Sequence, residues 1–160
     1  MAEKEKMTII VFSGEMDKVI AAFNLAIGGA SSGMDVSMFF TFWGLNVLKK
    51  NEGSIKSKGI MRKMLNAMNR GGVKRLPLSK FHMMVMGKWM MQKLMKDINS
   101  PPVEELMATA KEFGVKFVAC TTTIGMMGLS KNDFIPEVDS FAGVATYVAI
   151  AKESKVNLFI

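Results

Sequence analysis

Three short strand-like runs, the apolar MTIIVF at 7–12, then DVSMFF at 35–40 and KFVAC at 116–120, are separated by longer stretches with helical spacing. This alternation limits the fold more than any other feature of the chain. Runs of strand length that are mostly apolar, rather than alternating, predict strands covered on both faces. A helix between consecutive strands predicts parallel neighbours joined by a right-handed crossover. Ser13 and Gly14 end the first run, and Glu15, Met16 and Asp17 then open a helix whose inner face carries Val19, Ala22, Phe23 and Ala26 and which stops near Gly33. Acidic residues in that first turn suit the helix dipole.

The second run leads through Thr41, Phe42, Trp43 and Gly44 into a helix start, LNVLKK. After Pro101 and Pro102, VEELMATAKEFG predicts a helix closed by Gly114. A short helix at about 123–128, an N-cap at 130–133, a short fourth strand at 138–141, a helix at 143–154 and a last strand at 156–160 complete the pattern. The expectation is one domain over 1–160, a three-layer α/β/α fold with a mainly parallel sheet of about five strands.

The stretch at about 51–99 departs from that pattern. It opens with a polar loop at 51–58, followed by a helix that aligns Ile60, Met61, Met64, Leu65 and Met68, a break at Gly71 and Gly72, and a second helix at about 80–98. Nine of the 17 methionines fall between Met61 and Met95, and 13 of the 21 Lys and Arg fall between Lys49 and Lys96 against the single carboxylate of Glu52. The net charge of +7 thus belongs to one region. An oligomer or partner contact ranks first for this basic, Met-rich insertion, with membrane-surface contact through 60–98 beside it. Methionine thioethers would suit soft copper, but Met far more often fills an adaptable apolar face. Basic residues interleaved with Met rather than with stacking aromatics argue against nucleic acid.

Chemistry is expected where strands end, because ligands of open parallel sheets bind at the carboxyl edge. There the sequence gathers Ser13, Gly14, Thr41, Phe42, Trp43, Gly44, Cys120, Thr121 and Thr122. Cys120 is the one cysteine. A thiol between a strand's end and a helix's start meets unpaired N–H groups that favour thiolate, although a lone cysteine is more often a small buried hydrophobe. A Cys–His pair would need His82, and a lone helical histidine is more often structural. The GGASSG stretch at 28–33 sits in a helix rather than after a strand, so it lacks the dinucleotide-binding context. No cofactor or metal is expected. With one cysteine an internal disulfide and a multi-thiolate metal site are excluded within one chain, and the opening apolar run is too short for a signal peptide or a span. A cytoplasmic protein is expected.

The FSGEMDK turn, MFFTFWGLNVL, the Met-rich basic middle, KFVACTTTIGMMGL and the closing FAGVATYVAIAKESKVNLFI, in that order and spacing, resemble the DsrE/DsrF/DsrH-like sulfur-relay family, in its peroxiredoxin-like branch. The resemblance covers nearly the whole chain. It implies a DsrE-like fold and a cytoplasmic, homo-oligomeric sulfur carrier, sulfurtransferase-like rather than a multiple-turnover enzyme. Cys120 matches the carrier cysteine, holding sulfane sulfur as a persulfide and exchanging it with TusA-like and rhodanese proteins. Where many relatives follow the cysteine with a Ser or Met-rich turn, Thr121, Thr122 and Thr123 follow here. The second cysteine of some relatives is absent, which excludes peroxidase turnover through an internal disulfide. The reading that stands against it is a small-anion or nucleotide-binding module, with Cys120 a bystander and ligand held on backbone N–H groups after the first and third strands.

Overall fold

The computed structural model describes residues 4–50, 57–81, 83 and 86–160. His82 and Met84, and most of the loop expected at 51–58, lie outside the described residues. The described chain builds a sheet of five strands, β1 (Lys6–Val11), β2 (Asp35–Phe40), β3 (Lys116–Cys120), β4 (Ser140–Ala142) and β5 (Ser154–Phe159). Their spatial order is β4-β3-β2-β1-β5, and every neighbouring pair is parallel. The helices are α1 (Met16–Ser31), α2 (Leu45–Leu48), α3 (Ile60–Met68), α4 (Met86–Asp97), α5 (Val103–Glu112), α6 (Thr121–Met127) and α7 (Val144–Lys152).

Helices α1 and α5 pack together on one face of the sheet, and α7 lies against β1 and β5 on the other. The first face holds the main core. Side-chain alternation along each strand sends Ile9, Val11, Met38, Phe40, Phe117 and Ala119 into it, to meet Val19, Ala22, Phe23 and Ala26 of α1. At its centre Phe23, Phe40 and Phe117 form an aromatic trio. Phe117 stands edge-on to both partners at 5.7 Å between centroids, the geometry that ring quadrupoles favour. The second face is thinner. Phe39, Val118 and Cys120 are buried there under Ala142 and Tyr147, while no residue of α7 is fully buried.

Several boundaries differ from the sequence expectation, each for a local reason. LNVLKK makes a single turn because Lys49 leaves the helix to bridge Phe134 in antiparallel fashion, with Lys50 N–H donating to the Asp133 carbonyl at 2.9 Å. The fourth strand is the three residues Ser140–Ala142, shifted from 138–141 because the backbone N–H of Asp139 is taken by the Phe117 carbonyl and its carboxylate by the Phe117 N–H. The last strand begins at Ser154 rather than 156, since its first residue already pairs with Lys6 across a register shift. Helix α4 covers Met86–Asp97 of the expected 80–98.

The segment between α2 and α5 is fastened to the body by polar contacts. Asn46 donates to Asn69 at 2.6 Å, Gly72 N–H to the Asn46 carbonyl at 2.7 Å, and Asn66 to the Met127 carbonyl at 3.0 Å. Lys49, only 2 % exposed, donates through Nζ to the Asn69 carbonyl at 3.2 Å. Ser79 donates to Asp17 from its N–H at 2.9 Å and from its hydroxyl at 2.5 Å. These anchors decide which side of α3 faces the body, and that side is its polar one.

Candidate functional site

The site begins with a change of backbone direction after β3. Cys120 keeps extended dihedrals and is the residue on which α6 begins, so the helix starts at Thr121 rather than at the expected 123. Its side chain follows the alternation of β3 onto the thin face, and the residue is 1 % exposed. Burial pushes the thiol pKa up. The Thr123 N–H, the Thr41 and Thr123 hydroxyls and the Thr122 N–H act the other way, and together they hold it below the ordinary thiol value. None of these groups is a cation. The threonines are held in turn: Thr41 and Thr123 hydroxyl oxygens lie 3.0 Å apart, and Phe42 N–H donates to the Thr123 hydroxyl at 3.4 Å.

The turn that delivers Thr41 and Phe42 is tight. Phe42 has φ +46°, a left-handed conformation that a bulky residue adopts only under constraint. The constraint is visible in Gly44, whose N–H donates to the Phe12 and Thr41 carbonyls, each at 2.9 Å, and which packs directly on the end of β1. Phe42 also stacks near Phe12, which in turn meets Phe159, giving a row of rings at 5.2 and 5.6 Å along the edge where strands end.

The sequence-derived residues therefore fall into two groups. Thr41, Phe42 and, through its backbone, Thr122 surround the sulfur or its threonine partner, whereas the side chain of Thr121 is exposed. Ser13, Gly14 and Trp43 line a separate cleft of about 720 Å³, together with the cationic Lys18, Arg70 and Arg75. Cys120 does not line it. Ser13 donates to the Glu15 carboxylate at 2.9 Å, and Gly14 fits only because a side chain there would meet the Trp43 carbonyl. Thr123, buried and in two of the contacts that favour thiolate, is named in the sequence only among the threonines after the cysteine and stands outside the site residues gathered there. A helix starting directly after Cys120 makes Thr122 and Thr123 the second and third helical residues, whose N–H groups are the ones a capping side chain addresses. Among the described residues no cluster of three or more His, Cys, Asp or Glu is arranged to hold a metal.

Replacing Thr123 by Val, nearly its isostere, removes one hydroxyl from the sulfur and the partner of another. The thiol pKa is expected to rise toward the ordinary thiol value, slowing alkylation at neutral pH severalfold. The pH profile of iodoacetamide labelling measures this. An unchanged midpoint would mean the hydroxyls are spectators.

Comparison with known proteins agrees with the fold and the order of motifs. A family model for the DsrE/DsrF/DrsH-like family matches residues 3–159. The chain is 40% identical over 158 residues to the uncharacterized protein YrkE of Bacillus subtilis, covering 99% of this chain and 98% of that one. It is 33% identical over 165 residues to the sulfur carrier protein DsrE2 of Allochromatium vinosum, covering 99% of each. Among solved structures it shares its fold with the ychN protein from E. coli (TM-score 0.58, 9% identity, 99% of this chain and 100% of that one). Protein MTH1491 from Methanobacterium thermoautotrophicum is similar to the same degree (TM-score 0.57, 13% identity, 98% and 100%). A match that runs through both strand-end turns and Cys120 leaves one assignment: the chain belongs to the DsrE/DsrF/DrsH-like family.

Proposed function

We propose that this protein is a sulfur carrier that holds one sulfane sulfur as a persulfide on Cys120. The observation that carries the reading is a lone, buried thiol whose surrounding N–H and hydroxyl donors outweigh the effect of burial and favour thiolate. The named sulfur carrier among its relatives supports it. In the loading step the Cys120 thiolate attacks the outer sulfur of a donor persulfide, R–S–SH. A new S–S bond forms, the donor's S–S bond breaks, and R–S⁻ leaves; no external oxidant or reductant is consumed. Unloading is the same exchange with an acceptor thiolate, and the lower the pKa of the Cys120 thiol, the better it leaves. Burial suits a carrier, because water and small reductants must be kept from a persulfide between encounters. Rhodanese-like donors and TusA-like acceptors are the partners of this reading, in a cytoplasmic homo-oligomer acting as carrier rather than as a multiple-turnover enzyme. The partly exposed row of Phe12, Phe42 and Phe159 offers such a partner an apolar edge beside the threonines.

The test is intact-protein mass spectrometry after incubation with polysulfide or thiosulfate. The wild type is expected to gain the mass of one sulfur atom and to lose it to a dithiol reductant, and Cys120→Ala is expected to gain nothing. Equal gain by the alanine variant would overturn the proposal.

The cleft that holds Ser13, Gly14 and Trp43 favours a second reading, a binding site for a small anion or nucleotide, since Arg70 and Arg75 line it beside a Lys18 that is paired with Glu15. Thermal stabilisation by inorganic phosphate or ATP that persists in Cys120→Ser would support it.

A further inference from the structure

Helices α3 and α4 each turn one apolar side chain onto the core, Leu65 and Met95, and leave most of their other large apolar side chains exposed. On α3 the one buried residue is Asn66, while Ile60, Met61, Met64 and Met68 face solvent, Ile60 at 88 % and Met68 at 83 % exposure. Spacing of three and four residues puts these apolar side chains on one stripe. On α4 only Gly87 is buried, and Trp89, Met90, Leu94 and, just beyond its end, Ile98 are exposed. Such a concentration of large exposed apolar side chains is a contact surface rather than the ordinary scatter of a solvated exterior.

Its charge selects the occupant. Lys63, Lys93 and Lys96 border the apolar stripes, whereas Arg62 lies over Gly128 on the inner side, and between residues 57 and 98 the only carboxylate is Asp97. A second copy of the same face would bring cation against cation. A long, flexible mixture of Met and Lys matches a soft anionic surface, where lysine stems lie along the apolar layer and their ammonium groups stay at headgroup level. Trp89, 60 % exposed with Lys93 Nζ 5.6 Å from its ring centroid, has the amphipathic character of an interfacial anchor. No helix among the described residues is long and apolar enough to cross a membrane, so the contact is one of lying on the surface.

We propose that the outer face of α3 and α4 docks this protein onto an anionic lipid bilayer. The anchors that hold the segment, Asn46 to Asn69, Asn66 to Met127 and Asp17 to Ser79, all lie on its inner side, so docking leaves them intact. The inference is independent of persulfide chemistry at Cys120.

Flotation of the full chain with vesicles tests it. The wild type is expected to float with vesicles of phosphatidylglycerol and phosphatidylethanolamine at low salt, to dissociate progressively as salt screens the headgroups, and to stay unbound with phosphatidylcholine alone. Lys93→Gln and Lys96→Gln should each weaken partitioning about fivefold, the effect of one cation near an anionic surface. The pair Trp89→Ser and Leu94→Ser should abolish flotation with the melting temperature unchanged, because both side chains already face solvent. In the Trp43→Phe background, emission from Trp89 should shift to the blue on adding anionic vesicles. A wild type that stays with the lipid-free fraction overturns the proposal, as does a serine variant that floats normally. So does a serine variant that changes only the sedimenting mass, which would make the face a contact between copies. Binding to polyglutamate without binding to vesicles would overturn it in favour of an acidic protein partner.

Discussion

Gly44→Ala is expected to lower stability by at least about 3 kcal/mol, with a fall in melting temperature of roughly 6–12 °C for a chain of this size. Gly44 has ordinary helical dihedrals, φ −59° and ψ −27°, so alanine meets no conformational penalty there. In open space the change would be stabilising, because alanine restricts the unfolded chain. Space reverses the sign. An added Cβ would lie 1.9 Å from the carbonyl oxygen of Val11 and 2.7 Å from its carbon, and neither can yield without moving β1. The turn must therefore lift away from the strand, drawing Thr41 and Phe42 from Thr123 and loosening the contacts that favour the Cys120 thiolate. Thermal melting by circular dichroism and the rate of Cys120 alkylation should fall together. A variant that melts within a degree or two of the wild type would mean that the 42–44 turn is not seated on β1 as described.

Stability measured against pH should carry the signature of Lys49. Burial lowers its pKa to about 8, with the Asp133 carboxylate opposing in the other direction. The folded pKa lies below the ordinary lysine value near 10.4, so between about pH 8 and about 10.4 the unfolded chain binds the extra proton. Stability must then rise with pH across that window. Below it the lysine is charged in both states and the full cost of burying the charge remains. At 1.36 kcal/mol per unit the gain amounts to about 3 kcal/mol. Lys49→Met has no proton to lose. The difference between wild-type and variant unfolding free energies, from urea titrations at a series of pH values, should move by about that amount in favour of the wild type as pH rises. A difference that stays flat would show that water reaches the ammonium group.

How far the sequence could be read depended on what each signal encodes. The three runs at 7–12, 35–40 and 116–120 were legible because strands covered on both faces are mostly apolar, here with Thr8, Asp35, Ser37 and Lys116 as the polar exceptions, and they became β1, β2 and β3. The inner face of α1 was legible for the same reason in helical spacing. Signals that depend on distant partners were not. Nothing around Lys49 announces that Phe134 will draw it out of a helix, and nothing around Asp139 announces its exchange with Phe117. At the strand ends, proximity in fold order suggested one pocket, yet the 42–44 turn sends Trp43 to a cleft with Ser13 while Thr41 goes to the sulfur. On α3 and α4 the period revealed an apolar stripe, but a period cannot say whether the rest of the chain covers that stripe. Only the polar anchors at Asn66, Asn69 and Ser79 settle which side is turned outward.

The strand order has a kinetic consequence. β1 sits between β2, which follows it closely in the chain, and β5, the last strand of the sheet in chain order, with Met7 opposite Val156. During translation β1 and β2 can pair as soon as α1 has emerged, and β3 can dock on β2 to form the cysteine turn. The far edge of β1 must wait, unpaired, until β5 leaves the ribosome, and the closure entropy of so long a loop falls on that final step. A released chain truncated before Ser154 should therefore carry a formed Cys120 turn beside an open strand edge, an intermediate that pulse-alkylation would mark as native at the thiol and that aggregation would betray at β1.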